Sequence, residues 1–333
     1  MMKYNVLILT DHTGHSDQNS IYALVKEMNI HSQCRKLDIA SRGISDNDSF
    51  FMYMNEDELY GTKVDNGFHY TAGGTCYSQG LSKLNLQDYD IIFLRLPRPV
   101  TDEWLLWLDA HKGNAVIINN PSGIIKTSSK EYLLSIPDVF PTIRKIESIQ
   151  AAIDFSSLHP IVLKPLREYG GRGLVKIDGD TVYDGDIPYD RDTYLAKIEK
   201  IITTDGYIGM KYLKNVSQGD KRILVVGGEI MAASLRLPKE GSWLCNIAQG
   251  GKAVATEVTA EEKSIIDQIT PDLMKEGILI YGADTLVDDD GKRVLSEINT
   301  LSIGGFPQAQ EQSGLPIIKL TIDKIFEYAH DKK

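Results

Sequence analysis

Two carboxylates embedded in apolar sequence, Asp284 and Glu297, carry the clearest chemical signal in this chain. Each stands in a strand-like run, Ile278 to Val287 and Val294 to Asn299, and the runs flank DDDGK. Asp290-Gly291 is a pair that tolerates positive φ, as a two-residue hairpin turn demands. With those two as the loop, Asp284 lies directly opposite Glu297. Asn299, two residues on, shares that face. Like charges opposed across a ladder repel, so the pattern calls for a cation between them. Two carboxylates and an amide are hard oxygen donors, the set Mg²⁺ takes when it also holds phosphate. Asp288, Asp289 and Asp290 sit at the polar tip and read as solvated turn acids.

Cations appear at matching places. Lys164 ends the apolar strand Ile161 to Leu163, where a lysine must reach a counter-charge. After it comes Glu168-Tyr169-Gly170-Gly171-Arg172-Gly173, then a second strand from Leu174 to Ile177. A glycine loop that opens a helix holds phosphate on the helix N-terminus. Here the glycines join two strands, so the loop reads as a plain turn or as a flap whose amides fold over phosphate. Arg222 borders the strand Ile223 to Val226, and Arg236 lies inside Ala232 to Leu237; an unpaired cation is unfavourable at either place. Lys221 and Lys239 read as solvated. Arg95 and Arg98 follow the strand Tyr89 to Arg95, either as ligand-edge cations or as a surface loop pair.

These residues need elements to position them. Val6 to Thr10, Tyr89 to Arg95 and Ala115 to Ile118 are buried-strand patterns. Helices at Ser20 to Met28 and Asp102 to His111 alternate with them, the second carrying Trp104, Leu105 and Leu108 on one face. That is the layout of a doubly wound α/β domain, without the GxGxxG of dinucleotide binding. Residues 46–77 show no clear period and read as an excursion or a hairpin. Glu261 to Lys275 is helical with a break or kink at Pro271. Ile318, Ile322, Ile325 and Ala329 place a packing stripe on a terminal helix.

Composition bounds the function. The 333 residues allow two or three subdomains and a sizeable core. Net charge is −10, which excludes a general polyanion affinity and argues against a nucleic-acid partner. Cys34, Cys76 and Cys245 are scattered, without metal spacing, as in a reducing cytosol. The opening MMKYNVLILTD is too short in apolar length for a signal peptide, and no run approaches a membrane span. A cytoplasmic protein with no membrane association is expected.

NNPSGIIKTSSKEYLL, IVLKPLREYGGRG, YLKNVSQGDKRILVVGGE, LRLP, NIAQGG and GADTLV…SEIN are spread through most of residues 119–300. Together they resemble ATP-grasp ligases, and within that group bacterial glutathione synthetase. The resemblance implies an α/β (α+β) ATP-grasp fold behind a doubly wound N-terminal domain: substrate-side residues 1–123, lid 124–205, catalytic subdomain 206–333. It implies ATP and Mg²⁺, with Mn²⁺ as substitute metal. Lys130 and Lys164 match the lysines that reach ATP phosphates, and Gly170, Gly171 and Gly173 the loop covering them. Met210, Lys211, Tyr212 and Leu213 match the adenine linker, and Asp220 an acid near the ribose. Asp284, Glu297 and Asn299 match the metal ligands. Arg222 and Arg236 match cations facing the transferred phosphoryl group and the acyl phosphate. Asn246, Ser302, Gly304 and Gly305 fall at the substrate side, and relatives form symmetric homo-oligomers.

The pattern is departed from twice. It implies an arginine near Leu244, where this chain has Trp243-Leu244-Cys245. It implies a Ser-Pro-Thr turn after Asn299, where Leu301-Ser302-Ile303-Gly304-Gly305-Phe306 is closer to D-alanine–D-alanine ligases. Amides of Gly304-Gly305 are then expected to hold the amine substrate's carboxylate as a nest. Three readings follow. One is glutathione synthesis from γ-glutamylcysteine and glycine. Another is ligation of a different amino-acid or peptide pair, and the third is a non-catalytic nucleotide-binding module.

Overall fold

The computed structural model describes residues 2–136, 139–168, 171–239, 243–245 and 252–333. Three sheets organise it. The first contains β1 (Tyr4–Thr10), β2 (Cys34–Ser41), β3 (Leu59–Lys63), β4 (Ser82–Leu84), β5 (Ile91–Arg95) and β6 (Val116–Ile118), in the order β4-β3-β2-β1-β5-β6. β2, β1, β5 and β6 run parallel, with antiparallel β3 and β4 completing one edge. The expected doubly wound layout is therefore present. The stretch 46–77, expected as an excursion or a hairpin, supplies β3, which pairs antiparallel with β4, and the short helix α2 (Asp48–Tyr53), following α1 (Ser20–Ile30). β2 escaped sequence reading because CRKLDIAS is polar for its first half; burial begins only at Leu37.

The middle sheet joins β7 (Ile143–Ile146), β8 (Ile161–Pro165), β9 (Val175–Asp178), β10 (Thr181–Asp184), β11 (Ile187–Asp190) and β12 (Tyr207–Lys211), in the order β11-β10-β9-β8-β12-β7. β12 lies past the expected division at residue 205, yet pairs between β7 and β8. The third sheet has β13 (Asp220–Val226), β14 (Glu229–Leu237), β15 (Lys252–Ala255), β16 (Ile280–Val287) and β17 (Arg293–Asn299), in the order β15-β14-β13-β16-β17.

The cores show which layers pack together. Val6 and Ile8 of β1 share a cluster with Leu224, Val226 and Ile280 of the third sheet and with Ile318, Ile322, Ile325 and Ala329. The last four form the predicted stripe on the terminal helix Ile317–Asp331. The middle sheet has its own cluster, including Phe155, Leu163, Ile177 and Leu195. Asn119 fixes the first sheet to the hairpin: its amide donates to the carbonyls of Ile280 (2.6 Å) and Thr300 (2.8 Å), and its oxygen accepts from Leu279 and Ile280, both at 2.9 Å. A buried amide with four partners is a rigid tie.

Two local expectations are corrected. The helix Ala260–Lys275 runs through Pro271 without breaking. Lys221 is not solvated: it is buried, and its ammonium bonds Glu262, itself fully buried, at 2.7 Å. Glu262 also accepts from Thr285 Oγ1 at 2.6 Å.

Candidate active site

The hairpin of β16 and β17 places Asp284 opposite Glu297 and Gly282 opposite Asn299, as expected. The route differs. The loop is three residues, Asp289 to Gly291, closed by the Asp288 amide on the Lys292 carbonyl at 2.8 Å, with Gly291 at φ +86°. An extra residue, Ser296, bulges from β17 between the partners of Asp284 and Thr285. The longer loop and the bulge offset each other. The tip acids are not merely solvated. Asp288 Oδ1 accepts from the amides of Asp290 and Lys292, and Asp289 accepts from the Lys214 amide (2.9 Å) and pairs with Lys211 Nζ (2.8 Å).

Arg222 stands opposite Asp284 on the other side, across the β13–β16 ladder. Its Nε and Nη2 donate to the two Asp284 oxygens at 2.7 and 2.6 Å. Arg236 Nη2 reaches Asp284 Oδ2 at 2.9 Å and also bonds Asp220, its own cross-strand neighbour. The charge expected between two opposed carboxylates is thus supplied laterally by two guanidiniums. Burial alone would raise the pKa of Asp284; Arg222 and Arg236 outweigh it and hold the acid well below the usual carboxylate range. For Asp220, burial and the Asp284 charge win over Arg236 and push the acid up to about 6.

Lys130 and Lys164, both buried, flank Glu297. Lys130 Nζ lies 3.4 Å from Glu297 Oε1 and also donates to the Glu168 carbonyl. Lys164 Nζ donates to the Ser296 carbonyl at 3.2 Å. Burial pulls the Lys164 pKa below its ordinary value, and Glu297 partly restores it. These lysines line a cleft of about 80 Å³ with Gly171, Met210, Lys211, Tyr212, Leu213, Asp220 and Cys245. The loop over it joins antiparallel strands β8 and β9. In that loop Gly173 has φ +68°, and a Cβ there would stand 2.9 Å from Pro165. Of the linker amides, Lys211 donates to the Thr142 carbonyl and Tyr212 to that of Pro160. Gly170 and Asn246 lie outside the described residues.

Beyond the charged cluster opens a second cavity of about 700 Å³. Arg222, Arg236, Ser302, Gly304 and Gly305 line it, together with Asp11, His15, Ser20 and Arg95. The Gly305 amide expected in a nest donates instead to Ser20 Oγ at 3.0 Å. Sequence reasoning missed the Asp11–Ser20 wall, because a loop of short polar residues has no periodicity. Its one signal was position: it follows a buried strand at the C-terminal sheet edge.

Among the described residues, no three His, Cys, Asp or Glu side chains converge as a metal cluster. The predicted set has two carboxylates and an amide. Asp284 Oδ1 accepts from Arg222 Nε, and each carboxylate oxygen has two lone pairs, so one remains. Asn299 turns its Nδ2 to Asp284 at 3.3 Å, which directs its oxygen elsewhere. One lone pair of Asp284 and the Glu297 carboxylate are the hard donors left for a cation, and Asn299 adds its oxygen when its amide turns over.

The family model for the prokaryotic glutathione synthetase ATP-grasp domain matches residues 129–314, which span both lysines, the glycine loop, the arginines and the hairpin. The chain belongs to this family. It is an ATP-grasp ligase by that membership. A glutathione synthetase of Gloeobacter violaceus is 30% identical over 257 residues, covering 73% of this chain and 74% of the relative. One of Prochlorococcus marinus is 28% identical over 249 residues, covering 73% and 76%. Among solved structures, a D-cycloserine synthetase aligns over 99% of this ATP-grasp chain and 100% of its own, with TM-score 0.65 and 11% identity. The D-alanine–D-alanine ligase of Bacillus anthracis in complex with ATP aligns over 98% and 99%, with TM-score 0.56 and 14% identity. Likeness at such low identity shows the fold. No helix among the described residues is long and apolar enough to cross a membrane.

Proposed function

We propose that this ATP-grasp chain is a Mg²⁺-dependent carboxylate–amine ligase that joins γ-glutamylcysteine to glycine through an acyl phosphate. One observation carries the reading: the lysine-lined cleft and the larger cavity meet at the ion pair of Arg236 with Asp220, beside Arg222 and Asp284. Lys130, Lys164 and the loop bearing Gly171 and Gly173 lie on the phosphate side. Met210 to Leu213 form the base-side wall, with Asp220 near the sugar. Asp284, Glu297 and Asn299 are the residues that would hold Mg²⁺, which when bound neutralises phosphate charge.

The residues then work as follows. Lys130 and Lys164 draw charge from the γ-phosphate, so a substrate carboxylate oxygen can attack phosphorus while the bond to ADP breaks. Arg222 and Arg236 face the new acyl phosphate. The amine nitrogen attacks its carbonyl carbon, phosphate departs with the C–O electrons, and the nitrogen loses a proton to solvent. The two guanidiniums stabilise the oxyanion between these steps. The glycine loop excludes water that would hydrolyse the acyl phosphate. The curated relatives' names support the substrate pair, and the free cysteines fit a cytosolic setting.

A second reading, ligation of another amino-acid or peptide pair, is favoured by Ser302 at φ +49° and by the Gly305 amide held on Ser20. Both alter the turn where the amine's carboxylate is expected. ADP release with ATP, Mg²⁺ and γ-glutamylcysteine separates the readings. Turnover that requires glycine supports the first. Turnover only with another amine or another acid supports the second. No turnover with any pair, despite ATP binding, overturns both.

A further inference from the structure

The hairpin that carries Asp284 and Glu297 in its strands reaches the linker Met210 to Leu213 with its tip. Asp289 Oδ2 pairs with Lys211 Nζ at 2.8 Å, and Asp289 Oδ1 accepts from the Lys214 amide at 2.9 Å. Beside it the Asp288 carbonyl accepts from Asn215 Nδ2 at 2.6 Å. The tip making these contacts is itself firm. Asp288 Oδ1 takes the amides of Asp290 and Lys292, and the Asp288 amide closes the loop on the Lys292 carbonyl. Lys211 first, and then the Lys214 amide, hold the Asp289 carboxyl below its usual range, so the acid is ionised at neutral pH.

A surface ion pair contributes little by itself; what matters here is where this one acts. The amides of Lys211 and Tyr212 are bonded to the carbonyls of Thr142 and Pro160. Beyond Tyr212 the linker has left the sheet, and the Lys214 amide is held by Asp289. Leu213 lies between these two ties and lines the cleft. Its amide donates to no protein group among the described residues. An open main-chain donor with fixed neighbours on both sides suits an acceptor on the edge of a flat heterocycle. Asp289 is not among the residues that line the cleft, so it acts on a ligand only through the linker. We propose that Asp289 is a positioning residue for the nucleotide base, holding the linker so that the Leu213 amide meets the base edge in one geometry. One hairpin then sets both ends of the cleft, its strands the metal side and its tip the base side. The inference deepens the proposed function and rests on it for the base at Met210 to Leu213, but not for the substrate pair.

The experiment measures binding of ATP, inosine triphosphate and inorganic tripolyphosphate by calorimetry, with Mg²⁺ and no acid substrate. The proteins are wild type, Asp289→Ala, Asp289→Asn and Asp290→Asn. Inosine triphosphate reverses donor and acceptor at the base edge, and tripolyphosphate has no base. Wild type should prefer ATP to inosine triphosphate roughly tenfold or more. In Asp289→Ala, ATP binding weakens roughly three- to tenfold, because the linker must be ordered on binding, and the preference falls to within about threefold. Asp289→Asn keeps an acceptor for the Lys214 amide and retains part of both. Asp290→Asn removes the same charge one residue along the tip and binds like wild type. Tripolyphosphate affinity is the same in all the proteins. A preference in Asp289→Ala equal to that of wild type overturns the inference. An equal loss of ATP affinity in Asp290→Asn also overturns it, by making the effect one of charge alone. Tripolyphosphate weakened as much as ATP in Asp289→Ala overturns it too, by reporting damage to the whole cleft. A wild type that binds ATP and inosine triphosphate alike refutes the base-side reading itself, and the inference with it.

Discussion

Asp284→Asn should damage the fold as well as the chemistry, whereas Glu297→Gln should damage the chemistry alone. Asp284 accepts two bonds from Arg222 and one from Arg236, with its side chain 2% exposed. Breaking a buried ion pair by removing one partner costs about 3–5 kcal/mol. Three features reduce that here. Asparagine keeps one acceptor oxygen, Arg236 keeps Asp220, and Arg222 is 30% exposed and can be hydrated. The expected loss is about 2–3 kcal/mol, or roughly 1 M in urea midpoint for an unfolding slope of a few kcal/mol per M. Glu297 is 19% exposed and has Lys130 at 3.4 Å. Its neutralisation should cost about 0–1 kcal/mol. Urea unfolding followed by circular dichroism, without nucleotide or metal, measures both. Turnover against Mg²⁺ concentration in Glu297→Gln then isolates the metal site. A midpoint for Asp284→Asn equal to wild type, or a loss in Glu297→Gln as large as in Asp284→Asn, would refute the reasoning.

Other outcomes follow from the same geometry. Lys164→Ala should weaken ATP binding tenfold or more, about 1.4 kcal/mol, by calorimetry; an unchanged affinity counts against its phosphate role. Burial pushes the Cys245 and Cys34 thiols up to about 11. Their alkylation should be slow at pH 7.5 and climb about tenfold per pH unit, because only the thiolate reacts. Rapid labelling at neutral pH would contradict this. Glu262→Gln should lower stability by about 3–5 kcal/mol, because Lys221 is left buried without its counter-ion. Stability equal to wild type would show that the pair is not buried in solution.

The site was legible where chemistry and periodicity coincide. Asp284, Glu297, Arg222 and Lys164 each interrupt an apolar strand, and a charge there has few explanations. The register of Asp284 with Glu297 held although its derivation did not: the loop is one residue longer than Asp290-Gly291 implies, and the bulge at Ser296 compensates. Bulges leave no mark in a single sequence. Lys221 was misread because its partner, Glu262, lies 41 residues away on a helix. Of the break or kink expected at Pro271, the break is absent because packing of Ile265, Ile266, Ile269 and Leu273 keeps the helix continuous. β2 and the Asp11–Ser20 wall were hidden because strand and loop there are defined by neighbours rather than by their own pattern.

The bulge has another effect. At Ser296 the β17 chain steps out of ladder pairing, and the carbonyl of that residue takes the Lys164 ammonium. This anchor belongs to the main chain, so no point substitution removes it. Lys164 keeps a fixed perch even when Asp284 or Glu297 is replaced, and the lysine's placement is buffered against genetic loss of either acid. Only a change in residue count between Arg293 and Asn299 reaches it. Single-residue deletions there should disable the enzyme out of proportion to the contacts they remove, while Ser296→Ala gives up only the buried hydroxyl bond to the Asp284 carbonyl at 3.2 Å and leaves the Lys164 anchor in place.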